Sequence, residues 1–413
     1  YSLPQLLEAI RPSYEAAKQH AAENSTDKVK RGVGLSIGIY GCGLDGVDSS
    51  EATVELTPDG VILYSSWEDH GQGADMGALG TAHKALEPLG IAPDKIKLVM
   101  NDTAITPNSG PAGGSRSQVM TGNAIKNACE QLVAAMGKPD GSFRTYDEMV
   151  TEGIPLRYTG KWTMSTASNC DLQTAQGSPF GVYMYGMFMA EVAVDTKTGK
   201  TTVEGFTAIG DVGKINNKLV VDGQMYGGIA QGIGLALSED FEDLEKHTTM
   251  LGCGIPYAKD IPDKFDLYYI ETPREHGPFG AAGVGELPLT SSHVAVINAI
   301  KDATGVRVRH LPAPDMPPLH QQRGVIHSRQ RLALAIKRPQ QAVPGVVDEQ
   351  QHMGELKERL LPQLQPGRDA RQHRFLRRPD QGGAARLIII ILQVNSKHQP
   401  HAPSRLGAAL HQH

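Results

Sequence analysis

Glu286 sits in the segment Gly277-Pro278-Phe279-Gly280-Ala281-Ala282-Gly283-Val284-Gly285-Glu286-Leu287-Pro288. A carboxyl group crowded by small and apolar residues loses water, and that setting suits a general base. The competing reading is a helix-start glutamate, capping or salt-bridged near Thr290. Two further glycine-rich segments carry polar groups. Asp69-His70-Gly71-Gln72-Gly73 is a polar tip between a strand and a helix, where glycines let a ligand approach the backbone. Gly110-Pro111-Ala112-Gly113-Gly114-Ser115-Arg116-Ser117 leads into a helix N-terminus, whose free amides and dipole favour a phosphate or pyrophosphate. An ordinary glycine loop with a capping serine fits that segment equally well.

Other chemistries find less support. Gly41-Cys42-Gly43-Leu44-Asp45-Gly46 has dinucleotide-loop spacing, but the following residues read as a strand where that fingerprint needs a helix. There is no Walker loop and no Gly-x-Ser-x-Gly elbow. The four cysteines, Cys42, Cys129, Cys170 and Cys253, form no Cys-x-x-Cys pair, which argues against a zinc or iron–sulfur site within the chain and fits a reducing, cytoplasmic setting.

Periodicity places the elements that must hold these segments. Ser2 to Ala22 reads as an amphipathic helix that Pro12 breaks or kinks. Strands are expected at Val33 to Gly41, at Ala52 to Leu56 and Val61 to Ser65 around Pro58-Asp59-Gly60, and at Lys95 to Met100. A helix covers Asp75 to Leu89. The next is bounded by a Ser115/Gln118 capping box and by Gly137 and Pro139. Tyr183 to Val194 and Thr202 to Ile209 form a hairpin around Thr198-Gly199. Val220 to Leu237 is a glycine-rich helix, Phe265 to Ile270 a strand, and Val294, Ile297 and Ile300 mark a last helix closed by Gly305. The irregular alternation indicates an α+β fold.

The 413 residues, 40% apolar, suffice for one large domain or two smaller ones. The net charge of −5 joins two unlike pieces. Residues 1–312 hold 25 Lys and Arg against 38 Asp and Glu, and residues 313–413 hold 15 against 7. The second piece is rich in Gln, Arg, His and Pro, with a short helix expected at Glu355 to Leu364 and a strand at Leu387 to Val394. It reads first as an out-of-frame translation, next as a disordered tail, and last as a basic nucleic-acid-binding arm, because its charges are dispersed with no aromatic residues between them. No apolar run reaches the ~20 residues needed to span a bilayer. The start lacks the charged and apolar regions of a signal peptide, and a chain beginning inside a larger protein is expected.

The three glycine segments, in this order, resemble the molybdopterin-binding domain of the xanthine oxidase family, and within it the bacterial aldehyde-oxidising members. Asp211-Val212-Gly213 with Asn216, and Gly227-Gly228-Ile229-Ala230-Gln231-Gly232, strengthen the likeness, which covers about Gly32 to Leu311. The resemblance implies the carboxy-terminal half of that domain. It implies a molybdopterin, in bacteria often the cytosine dinucleotide, whose dithiolene holds molybdenum with no protein ligand to the metal. His70, Gly71, Gln72 and Gly73 would face the pterin. Ala112, Gly113, Gly114, Ser115, Arg116 and Ser117 would bind the dinucleotide phosphates, while Asn216, Gln231, Gly280, Ala281 and Gly285 add contacts. Glu286 would be the base in converting an aldehyde and water into a carboxylic acid. The family's [2Fe-2S] clusters would lie upstream, the full-length protein would be a homodimer, and this chain alone would be incompetent for turnover. A purine or N-heterocycle hydroxylase, and a non-catalytic binding or assembly module, are the alternatives.

Overall fold

A computed structural model of the chain describes residues 2–44, 47–164, 170–171, 173–174 and 176–313. The expected tail, with its short helix and strand, falls outside the described residues. The described residues hold two four-stranded mixed sheets, each backed by helices, and all belong to one of the two compact units into which the chain divides. The α+β expectation holds.

The first sheet has the order β1-β6-β7-β8, with β1 (Val29–Cys42), β6 (Val182–Asp195), β7 (Thr201–Asp211) and β8 (Lys264–Ile270). β1/β6 and β6/β7 pair antiparallel, and β7/β8 parallel. The second has the order β4-β3-β2-β5, with β2 (Asp48–Thr57), β3 (Gly60–Ser65), β4 (Ile96–Met100) and β5 (Arg157–Met164). Here β3/β4 is the parallel pair. β1 and β2 are consecutive strands in different sheets, so Cys42 and Asp48 stand near where the two meet. Among the described residues the element that follows β1 is a strand, as the sequence indicated.

α6 (Ser292–Thr304) packs on β1 and β6, α5 (Lys218–Leu237) on α6, and α1 (Leu3–Asn24) on the opposite face of the first sheet. Contact between α6 and β1 is close enough that a Cβ on Gly34 would lie 2.2 Å from Ala295 O and Ala299 N. α3 (Ser117–Met136) covers β2 and β5, with α2 (Ala74–Ala85) beside it. The short α4 (Tyr146–Thr151) carries a capping box between Thr145 and Glu148. Among the described residues no helix is long and apolar enough to cross a membrane.

Two local expectations need correction. Pro12 does not break α1, which runs unbroken for 22 residues. An interior proline costs about 3 kcal/mol, but Leu6 and Ile10 are fully buried, and each such side chain contributes about 1.5–3 kcal/mol. α3 has no Ser115/Gln118 capping box. Its N-cap is Arg116, with no side-chain cap, because the Ser115 hydroxyl is used elsewhere. Finally, β5 and α4 were not read from the sequence.

The junction between the sheets is held by a buried ion pair. Arg116 and Asp48 are 1% and 3% exposed at their side chains, with Nη2 to Oδ1 at 2.8 Å. The remaining guanidinium donors reach the carbonyls of Ser109 (2.8 Å), Pro111 (2.9 Å) and Ser49 (2.7 Å). Removing one partner of such a pair strands the other charge in the interior. Arg116→Met is therefore expected to cost about 3–5 kcal/mol, read as a lower urea midpoint at unchanged slope. A loss below about 1 kcal/mol, the value of a surface pair, would show that the pair does not brace the junction.

Candidate functional site

A cavity of about 300 Å³ opens where α2, α3, α5 and the Glu286 loop converge. His70, Gln72, Gly73, Ala112, Gly113, Ser115, Ser117, Asn216, Gly285 and Glu286 line it. The structure thus brings the three glycine segments, distant from one another in sequence, onto one wall system. Six expected residues do not line it. Gly71 is exposed at the loop tip. Gly114 lies behind, its carbonyl accepting from Gly43 N at 3.0 Å. Arg116 is consumed by Asp48. Gly280 and Ala281 brace from below: the Gly280 carbonyl accepts from Lys214 N and Arg274 N at 2.8 and 3.0 Å, and Ala281 bridges Gly213. Gln231 is exposed on α5, away from the cavity, where Gln224 is the lining residue seven positions earlier.

Glu286 is half-buried and lies in the turn entering a short 3-10 stretch, Leu287–Leu289, with no capping bond from its side chain. Its carboxylate Oε2 accepts from the Ser115 hydroxyl. Its own amide donates back to Ser115 Oγ at 3.1 Å. This reciprocal pair joins residues 171 positions apart and leaves Oε1 without a partner among the described residues. Ser115 takes φ +50° to make it, a conformation uncommon for a non-glycine residue and costly unless the surroundings hold it. The surroundings do: Arg116 is fixed on its one side, and on the other Gly283 approaches so closely that a Cβ there would lie 2.1 Å from Ser115 O.

The anion expectation for the loop before α3 meets a divided set of amides. Ala112 N points at Glu68 Oε2 at 3.5 Å, and Arg116 N donates to Gly113 O at 3.2 Å. The amides of Gly113, Gly114, Ser115 and Ser117 have no partner among the described residues. At the start of α2 the amides are partly taken, because Asp69 Oδ1 already accepts from Gly71 N (2.7 Å) and Gly73 N (3.3 Å), and Oδ2 from Asp75 N (3.0 Å). Burial alone raises Asp69, yet these amides outweigh it and hold the carboxyl below its usual range. The Gln72 amide also turns back into its own loop, accepting from His70 N at 2.5 Å and donating to Glu68 O at 2.7 Å. Asn216 ties α2 to α3, its Nδ2 reaching Gly77 O at 2.9 Å, Thr81 Oγ1 at 3.1 Å and Gln118 Oε1 at 3.2 Å.

Sequence reasoning missed several lining groups. Lys214 is an exposed cation with no ion pair among the described residues. Gln118 and Gln224 add amides, and Trp67, Val212, Ile215 and Val220 an apolar wall. Lys214 directly follows Asp211-Val212-Gly213, a signal that could have been read. Gln224 could not be told from Gln231 by spacing, since seven residues return to nearly the same helix face. Arg274 secures this wall through Tyr183 O, Thr272 O and Asp211 O at 2.9, 2.8 and 2.9 Å, and through Asp211 Oδ1 at 3.0 Å. Among the described residues no group of three His, Cys, Asp or Glu side chains is placed to hold a metal ion.

Behind Glu286 lie Tyr40 and Cys42 at the end of β1. Burial first, then the Glu286 charge, pushes the Tyr40 hydroxyl up to about 12. Complete burial pushes the Cys42 thiol up to about 12, against a smaller opposing hydrogen bond from the Gly283 backbone. Cys129 is raised to about 12, again by burial first. The folded state thus disfavours both thiolates. Stability from these thiols is complete below the unfolded value of 9.0 and falls as pH rises from there towards 12. At pH 8 an alkylating reagent should modify Cys170, the partly exposed thiol, and spare Cys42 and Cys129 until the chain is unfolded. Rapid native-state modification of Cys42 would contradict this burial.

The family described as "Molybdopterin cofactor-binding domain" matches residues 7–262. The chain is 60% identical over 314 residues to the aldehyde oxidoreductase of Megalodesulfovibrio gigas, covering 76% of this chain and 35% of that protein. It is similar to the crystal structure of the aldehyde oxidoreductase from Desulfovibrio desulfuricans ATCC 27774, with a TM-score of 0.74 and 62% identity over 77% of this chain and 34% of that one. Quinoline 2-oxidoreductase from Pseudomonas putida 86 shares the fold, with a TM-score of 0.65 at 23% identity over 79% of this chain and 45% of that one. The chain spans about a third of the length of its aldehyde oxidoreductase relatives. The glycine-lined cavity and the family match together establish that this chain belongs to the molybdopterin cofactor-binding domain family of the xanthine oxidase type.

Proposed function

We propose that this chain is the cofactor-holding, base-bearing part of a molybdenum-dependent aldehyde oxidoreductase. The observation that carries the reading is the Ser115–Glu286 pair, which presents one carboxylate oxygen, at a cavity rimmed by amides, all without partners among the described residues. The 60% identity to an aldehyde oxidoreductase favours aldehyde over purine or N-heterocycle as substrate.

The cavity suits a pterin and its phosphates. The Gly113, Ser115 and Ser117 amides and Lys214 are donors for anionic oxygens, Gln118 and Gln224 for ring heteroatoms, and Trp67 with Val212 and Val220 form an apolar bed. His70, Gln72 and Gly73 close one side and Gly285 the other. Gly71, Gly114, Arg116, Gly280 and Ala281 act by shaping these loops. The cytosine dinucleotide form is the one proposed. When bound, the molybdenum cofactor supplies the two-electron acceptor and activates water near neutral pH. [2Fe-2S] clusters outside this chain would carry the electrons on, so the chain alone is inactive.

The chain's own work is proton handling and positioning. Ser115 holds Oε2, so Oε1 is the atom that takes a proton from the water destined for the product. The carboxylic acid forms as that oxygen bonds the aldehyde carbon, with two electrons and two protons released. Fixing the base before substrate arrives saves the entropy of finding it. Placement in a cytoplasmic homodimer completes the proposal.

In the longer protein that contains this chain, Glu286→Gln should lower aldehyde turnover by about 10²–10⁴ with molybdenum content unchanged. Turnover within a few-fold of normal, at full metal content, would show that Glu286 is not the base. Ser115→Ala should lower kcat and leave KM nearly unmoved, because Ser115 orients the base and need not bind substrate. An unchanged kcat would remove Ser115 from the mechanism.

A further inference from the structure

β1 is the edge strand of its sheet, pairing with β6 alone. Its odd-numbered residues turn their main-chain groups outward. A row of contacts lies on that side: Thr26 N donates to Val29 O, Arg31 N to Ser25 Oγ at 3.0 Å, Val33 N to Asp302 Oδ2 at 2.9 Å, and Asn298 Nδ2 to Leu35 O at 2.8 Å. These contacts block the first half of the edge. By the same alternation Ile37 and Ile39 also present their N–H and C=O groups outward. Neither has a partner on that side among the described residues.

The side chains there are equally uncovered. α1 turns back over β1 from Asn24 and buries Val33, Met187, Met189 and Ile209. Its buried cluster takes in Leu35 and Tyr185 at its margin but neither Ile37 nor Ile39. Ile37 and Ile39 are 53% and 47% exposed, on the face shared with Tyr185. Exposed apolar residues on an unblocked strand edge are what folded proteins normally charge, bulge or cover. β1 then continues into Cys42, packed under Gly283 beside Glu286.

We propose that the Ile37–Ile39 edge of β1 receives an extended strand from the part of the longer polypeptide that lies outside this chain. The matched region is about a third of the aldehyde oxidoreductases it resembles, so most of their polypeptide has to pack somewhere. This edge is open in both its backbone and its side chains, and it leads to the wall of the cavity. Strand addition would use main-chain bonds for affinity and the two isoleucines for register. The inference rests on family membership and not on the reaction, so a failure of Glu286 as base leaves it standing.

The test uses this full chain and, as partner, the unmatched remainder of the Megalodesulfovibrio gigas aldehyde oxidoreductase supplied as a separate polypeptide. Amide exchange is followed in the chain alone and in the mixture. Ile37 and Ile39 should exchange freely alone and gain about ten-fold or greater protection on mixing, while Val33 is protected throughout. Ile39→Pro removes the outward N–H without touching the β6 ladder, and should weaken binding about ten-fold at an unchanged thermal midpoint. If that variant unfolds, Ile37→Lys serves the same purpose, and the wild-type exchange stands by itself. The proposal is overturned by absence of binding or by binding without protection at this edge. It is also overturned if the chain alone shows protection that grows with its concentration, or that disappears on deleting residues 314–413, since a second copy or the chain's own tail would then be the occupant.

Discussion

The buried Arg116–Asp48 pair is the constraint on which the site depends. It fastens the glycine loop before α3 to the first residue of β2, at the place where the two sheets meet. Once Arg116 is fixed, Ser115 has little freedom, and its left-handed backbone aims the hydroxyl at Glu286. A buried pair of this kind contributes little net stability over an apolar replacement. Its effect is geometric: all the guanidinium donors are spent on one carboxylate and three carbonyls, so the loop has one shape.

The opposite wall is built the same way. Arg274 gathers Tyr183, Thr272 and Asp211, and Gly280 links that loop to Lys214. Two arginines, neither of which lines the cavity, therefore set the separation between the amide-rich loop and the glutamate loop. Among the described residues, the groups left free inside this frame are a carboxylate oxygen, several amides and one lysine. That distribution suits a ligand with anionic oxygens at one end and proton transfer at the other.

Much of the fold was legible because its signals are local. Among the described residues, alternating and helical periodicities marked seven of the eight strands and five of the six α-helices, and the glycine segments named most of the cavity. What escaped was decided by contacts distant in sequence. The Ser115/Gln118 spacing reads as a capping box until Glu286, 171 residues away, takes the hydroxyl. Pro12 reads as a break until burial of Leu6 and Ile10 holds the helix together. Arg116 reads as a phosphate ligand by its place in a glycine loop, and only the fold shows it facing inward to Asp48. Gln224 and Gln231 share a helical face, so periodicity could not choose between them.

Metal and nucleotide analysis of the purified longer protein tests whether this cavity holds the proposed molybdopterin dinucleotide. The expected result is about one molybdenum atom per polypeptide and release of a cytosine nucleotide on acid hydrolysis. A correctly folded protein, purified from cells supplied with molybdate, that contains neither molybdenum nor a bound nucleotide would contradict it.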